Sequence, residues 1–224
     1  MKRIVCSQLI VLAMVCASKV FAEEDVQVMP DVIYGHKDGL AMTLDVYRPK
    51  KAKRFGVDPK RLGVTGASSG GHLSLMLGTT GDDGDPKAAD EVLRTSDRVA
   101  AVVAYCPPTD IRPWTRPSSS YYQNYPALRF DTAKAGDYSP RLHASADDAA
   151  TLLVHGDADK LVPLEHSQAM LAELKSKGAD AELLVLKGAE HAFKGDQARQ
   201  AAEARGAWFV KKLAQGKCGA GSSR

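Results

Sequence analysis

The chain has 224 residues, of which 44% are hydrophobic and 25% charged, with 30 basic against 27 acidic side chains. That length and balance suit one domain with a real core, and they exclude a disordered chain or a strongly basic nucleic-acid binder. The small positive excess belongs to the N-terminus, where Lys2, Arg3 and Lys19 stand without an acid before Glu23; without them the charges balance.

Lys2 and Arg3 precede an apolar run, Ile4 to Ala17, that is too short to span a bilayer comfortably. Val20-Phe21-Ala22 follows as a small-x-small site. The pattern predicts a signal peptide over residues 1–22, cut after Ala22. The expectation is a secreted or periplasmic protein with no stable membrane insertion after cleavage. Val15 is too bulky to make a lipobox of Cys16.

Asp31 to Gly35 and Leu40 to Tyr47 read as a hairpin around His36-Lys37-Asp38-Gly39, with Leu40, Met42, Leu44 and Val46 on one face by period two. Pro49 ends the second strand, and Lys50 to Phe55 resembles the last turn of a helix. Arg61 to Thr65 reads as a short buried strand, and Gly71 to Gly78 as a helix buried on most sides. Apolar strands are predicted at Val99 to Tyr105, Thr151 to Val154 and Leu183 to Leu186. Helices are predicted at Pro163 to Lys177, with Gly178 as the stop, and at Gln197 to Leu213. Apolar strands alternating with helices imply a mostly parallel sheet covered on both faces. Pro107 to Pro140 breaks the pattern: it is rich in Pro, Ser and Tyr and reads as a lid or a disordered segment near the carboxyl ends of the strands.

Gly66-Ala67-Ser68-Ser69-Gly70 stands between an apolar strand and an apolar helix, the context of a nucleophile elbow, G-x-S-x-G. Both glycines are expected to let the turn form without a Cβ clash. A serine hydroxyl needs an adjacent base to become a nucleophile. His191, after the last strand, is the candidate base. Asp159, in His155-Gly156-Asp157-Ala158-Asp159, is the candidate acid that fixes the imidazole. Asp157 is the second candidate acid, while His36, His72, His143, His155 and His166 are weaker bases. Taken singly, Ser68 could be a helix cap and His191 a loop residue; together the three point to a serine hydrolase. Asp110 is expected to tie down the lid. Cys106 ends an apolar run and reads as a buried thiol; Cys218 lies in a Gly/Ser-rich tail, and a disulfide between them stays open. No Cys/His spacing predicts a metal site, and nothing calls for a cofactor.

With these residues in place, the chain resembles the α/β-hydrolase superfamily, in particular small esterases of the acetylxylan and feruloyl type and the catalytic domain of prolyl oligopeptidases. The resemblance rests on Phe55 to Leu73, on Leu152 to Pro163 and on Lys187 to Phe193. It implies an α/β-hydrolase fold, with the domain at residues 23–215 and a flexible tail at 216–224. It also implies Asp159 over Asp157 as the acid, because the family's acid is the fifth residue of His-Gly-x-x-Asp. The implied partner is a small-molecule ester.

The pattern departs from the family after Pro49. The strand ending in a His-Gly-Gly-Gly loop, which donates backbone N–H groups to the oxyanion, has no counterpart between residues 23 and 60. The domain is therefore expected to be truncated between about residues 49 and 55 and to lack two central strands. The Ser69 N–H remains as one oxyanion donor. Trp114, Tyr121, Tyr122 and Tyr125 are candidates for substrate contact or for ordinary lid packing. Three functions stay open: a carboxylic-ester hydrolase acting through an acyl-enzyme, a prolyl oligopeptidase-type peptidase, and a catalytically impaired homologue.

Overall fold

The structure, a computed structural model, describes residues 26–37, 40–49 and 59–213, and side chains from residue 60 onward. The signal peptide, the Lys50 to Phe55 turn, the tail and Cys218 lie outside the described residues. The chain divides into two units, Met1–Val57 and Asp58–Arg224. In the first, β1 (Val26–Lys37) and β2 (Leu40–Pro49) pair antiparallel from Lys37↔Leu40 to Val26↔Pro49. The hairpin is the one expected, with longer strands and register irregularities at Met29/Val32 and Ile33/Gly35.

The second unit holds a four-stranded parallel sheet in the order β3 (Gly63–Ala67), β4 (Ala101–Tyr105), β5 (Ala150–Gly156), β6 (Ala181–Leu186). α1 (Ser69–Thr80) follows β3, α3 (Glu165–Lys177) follows β5 and α4 (Gly195–Leu213) follows β6. Alternation along the strands supplies two cores. Val102, Ala104 and Leu153 pack with Leu75 of α1 and with Met170 and Leu174 of α3. Ala101, Val103, Leu152 and Val154 pack with Ala201 and Trp208 of α4. Gly178 closes α3 in the left-handed conformation, φ 85°, and its N–H donates to the Leu174 and Lys175 carbonyls. α3 starts at Glu165, so Pro163 lies just ahead of the helix rather than in its first turn.

Two burial expectations are corrected. β3 is not a buried strand: it alternates between exposed and half-buried residues, because among the described residues it has a neighbour, β4, on one side only. α1 is not buried on most sides: Leu73 is 62% and Leu77 43% exposed, and only Gly71, Ser74 and Leu75 are buried. An edge strand covers one side of the helix above it, so the outer side of α1 is left bare.

The segment between β4 and β5 is ordered. It contains α2 (Ser120–Asn124) and short 3-10 turns at Pro126–Leu128, Thr132–Lys134 and Pro140–His143. Its two ends are joined: the Arg141 N–H donates to the Thr109 carbonyl, and the Ile111 N–H donates to buried Ser139.

Glycines set the tightest approaches, with one correction. A Cβ on Gly66 would lie 2.3 Å from the Gly70 carbonyl group, and one on Gly71 2.8 Å from the Tyr105 carbonyl oxygen, but a Cβ on Gly70 would meet nothing within 4 Å. The steric need therefore falls on Gly66 and Gly71. Gly66→Ala is expected to destabilise the domain by about 3 kcal/mol through this overlap. Gly206→Ala, at an open helical position, is expected to stabilise it by about 1 kcal/mol. Urea unfolding of the two variants beside the wild type should show shifts of opposite sign.

Candidate active site

Ser68 sits between β3 and α1 with φ 55° and ψ −118°. A non-glycine residue at positive φ is strained, and the surroundings must hold it there. They do so from both sides. The Ser68 N–H donates to the Tyr105 carbonyl at the end of β4 (2.8 Å), and the Ser68 carbonyl accepts the His72 N–H inside α1 (2.9 Å). Ser68 makes no side-chain cap bond, so its hydroxyl is not committed to starting the helix. Ser69 is the first residue of α1, and its N–H is among those left without an intrahelical acceptor.

Asp159 follows β5 and His191 follows β6; the His191 Nδ1 lies 2.8 Å from Asp159 Oδ2. The Asp159 side chain is fully buried, while that of His191 keeps 24% of its surface exposed. Asp159 Oδ1 accepts the Leu161 N–H (2.9 Å) and the Val162 N–H (3.0 Å), which fixes the plane of the carboxylate. The loop carrying His191 is clamped to the end of β5: a Cβ on Gly156 would lie 2.1 Å from the Ala189 carbonyl oxygen. Asp157 is spent on the same clamp, accepting the Gly188 N–H at 2.5 Å, and so is not the acid beside His191.

His155 is the member that the sequence reading undervalued. It is fully buried on β5, with Nε2 2.8 Å from the Val162 carbonyl and 3.3 Å from Asp159 Oδ2, and Nδ1 2.7 Å from the Ser167 hydroxyl. A carbonyl can only accept, so Nε2 carries the proton and Nδ1 accepts from Ser167. Burial holds its pKa down, which matches a neutral ring. Two imidazoles thus share Asp159 Oδ2. The signal was in the sequence, in the His-Gly-x-x-Asp spacing, but a strand-end histidine four residues before an aspartate has many uses.

Cys106 is buried, as expected, but it abuts the site. It takes φ 43°, its N–H donates to the Val154 carbonyl and its thiol donates to the His191 carbonyl (3.3 Å). Burial, and then the Asp159 charge, push the thiol up to about 12. Cys106, Asp159 and His191 bring potential metal-ligating atoms within 4.8 Å of one another. The Cys106 thiol donates to the His191 carbonyl and the His191 Nδ1 lies on Asp159, so the three form a hydrogen-bonded unit.

Ser68, His191 and Cys106 open onto one cavity of about 460 Å³, also lined by Tyr105, Phe193, Arg205 and a row of alanines. The lid aromatics lie elsewhere. Trp114 stacks on Tyr121 (4.0 Å, 5°) and meets the edge of His166, Tyr121 stacks on Tyr125, and the Tyr121 hydroxyl donates to the Leu161 carbonyl (2.7 Å). Neither these three nor Tyr122 forms a wall of the Ser68 cavity. Asp110 pairs with Arg112 (2.7 Å) and Arg141 (2.6 Å), bonds that hold its carboxyl well below the usual range and tie down the segment. His72 Nδ1 contacts the Pro108 carbonyl (3.0 Å), a structural bond. His143 Nε2 lies 3.0 Å from the Asp137 carbonyl.

Replacing His155 with Leu leaves the Val162 carbonyl and the Ser167 hydroxyl without partners and should cost about 2–3 kcal/mol in urea unfolding. The lid generates a pH prediction. His166 Nδ1 accepts the Thr109 N–H (3.1 Å), and burial pulls its pKa down to about 4. Its stabilising contribution is present above the unfolded pKa of about 6.5 and is lost as pH falls toward about 4. Urea midpoints should drop across that window, and His166→Gln should flatten part of the drop.

The chain is similar to known hydrolases and esterases. Among curated proteins, 135 residues are 29% identical to the uncharacterized peptidase YuxL of Bacillus subtilis, covering 60% of this chain and 19% of that protein. A stretch of 179 residues is 27% identical to the probable carboxylic ester hydrolase LipM of Mycobacterium tuberculosis, covering 75% and 39%. The chain thus spans less than half the length of either relative. Among solved structures, the acetyl ester-xyloside bifunctional hydrolase of Caldicellulosiruptor lactoaceticus superposes with a TM-score of 0.56 at 28% identity, over 69% of this chain and 55% of that one. The butyrate-bound esterase Est2 of Thermogutta terrifontis gives 0.56 at 25% identity, over 72% and 60%. The fold is that of the α/β-hydrolase esterases. The BD-FAE family model matches residues 41–174, a span that runs from β2 through the elbow and Asp159 into α3, and the chain belongs to the BD-FAE family.

Proposed function

We propose that the chain is a serine hydrolase that cleaves carboxylic esters through an acyl-enzyme on Ser68. The observation that carries this reading is a serine held at strained φ on the same cavity as an imidazole whose Nδ1 is bound to a buried carboxylate. The His191 Nδ1–H donates to Asp159, which leaves Nε2 to take the Ser68 proton as Oγ attacks the ester carbonyl. The Ser69 N–H faces the developing oxyanion. His191 then returns the proton to the leaving alcohol, and water enters by the same route in reverse. Names of similar proteins support an ester: a probable carboxylic ester hydrolase, an acetyl ester hydrolase and an esterase with butyrate bound. The reading includes export, which rests on the leader pattern at residues 1–22.

With the Ser69 N–H as the one donor assigned, turnover should be slow, since loss of an oxyanion donor costs roughly 100- to 1,000-fold. A second reading, peptidase action, draws on the names of two other relatives, YuxL and the acylamino-acid-releasing enzyme of Arabidopsis thaliana. Purified residues 23–224 should hydrolyse 4-nitrophenyl acetate, and Ser68→Ala should lower the rate at least about 1,000-fold or to background. Hydrolysis that survives Ser68→Ala would refute the assignment. Cleavage of proline-containing peptides with esters left intact would favour the peptidase.

A further inference from the structure

The Ser68 cavity is apolar apart from a few groups, and Arg205 is the one permanently charged side chain among its lining residues. Arg205 projects from the middle of α4 and is half-buried. Its guanidinium lies beside the Tyr105 hydroxyl. That hydroxyl donates its own proton to the Ala201 carbonyl (3.2 Å), so toward Arg205 it can only accept. One part of the guanidinium is thereby held against the cavity wall, and a guanidinium has five N–H donors in all.

The other basic residues of α4 are paired: Arg199 with Asp196 (2.8 Å), Lys211 with Glu182 (3.0 Å) and Lys212 with Asp180. No carboxylate among the described residues lies within ion-pairing distance of Arg205. Asp159 is not among the residues lining the cavity and already receives the donors described above. A cation on the wall of an apolar cavity that also holds Ser68, with no acid partner among the described residues, suits a negative group on the ligand. A planar carboxylate matches the fork of a guanidinium.

We propose that Arg205 is a specificity residue, and that the cavity takes an ester carrying a free carboxylate on the acyl side, such as the half-ester of a dicarboxylic acid. This rests on the ester-hydrolase reading of the same site. In hydrolysis the carboxylate stays ionised on Arg205 while water splits the ester; the products are a dicarboxylate, the alcohol and a proton released to solvent.

The test compares two esters of equal chain length, mono-(4-nitrophenyl) adipate and 4-nitrophenyl hexanoate, as a ratio of kcat/KM in wild type, Arg205→Gln and Arg205→Lys. The wild type should favour the adipate at least about tenfold, Arg205→Gln should bring the ratio to about one, and Arg205→Lys should keep part of it. The preference should shrink in high salt. Calorimetric titration of Ser68→Ala, with and without Arg205→Gln, uses the corresponding 4-nitroanilides and reads binding without turnover. Equal hydrolysis of both esters by wild type overturns the proposal and leaves the esterase reading standing. Tighter binding of the acidic anilide, lost in Arg205→Gln, with no ester hydrolysis supports the anion site and refutes the esterase reading. Equal binding of both anilides with no hydrolysis overturns both.

Discussion

The carboxylate of Asp159 is the point on which the site depends. It has no exposure, so its lone pairs must be met from within, and the protein meets them with two backbone N–H groups, His191 and His155. Each donor recruits a different part of the unit. The backbone donors belong to the turn that feeds α3, His191 to the loop after β6, and His155 to the last residues of β5. Ser167 on α3 then orients His155. An unpaired buried carboxylate is costly, so these elements hold one another in register. Gly156 allows the arrangement by letting the Ala189 carbonyl sit where a side chain would otherwise stand.

The other half of the site is built differently. Ser68 is held by one bond to the Tyr105 carbonyl, by the following helix and by the absence of side chains at Gly66 and Gly71. β3 has one neighbouring strand among the described residues, whereas β4 and β5 each have two. Asp159 thus follows an interior strand, whereas Ser68 follows β3 and His191 follows β6, each a strand with one neighbour among the described residues.

Much of this was legible in the sequence, for identifiable reasons. The elbow, the His-Gly-x-x-Asp stretch and the histidine after the last strand are local patterns, and parallel topology brings strand carboxyl ends together whatever the loops do. The choice of Asp159 over Asp157 rests on a resemblance; in the structure His191 lies on Asp159, and Asp157 accepts the Gly188 N–H. Burial of β3 and α1 was misread because apolar composition reports what a strand or helix can bury, while exposure depends on which neighbours are present. Leu73 and Leu77 look like core residues and are exposed. His155 and Cys106 were undervalued because their contacts join segments well apart in the chain, and no spacing rule encodes those. The lid aromatics show the converse: a cluster of Trp and Tyr that suggested ligand contact is largely satisfied by its own stacking.

The one-sided support of β3 bears on how the protein fails. β3, which leads into Ser68, and β5, which leads into Asp159, need not open together. With one strand neighbour among the described residues and side chains that alternate between exposed and half-buried, β3 belongs to the low end of the local-opening scale, below the free energy that unfolds the whole domain. The strained serine gains by relaxing when that segment frays. Order at the elbow and global foldedness are therefore separate quantities here, and mild heat or denaturant would loosen Ser68 while His155 and Asp159, at the end of β5, remain assembled.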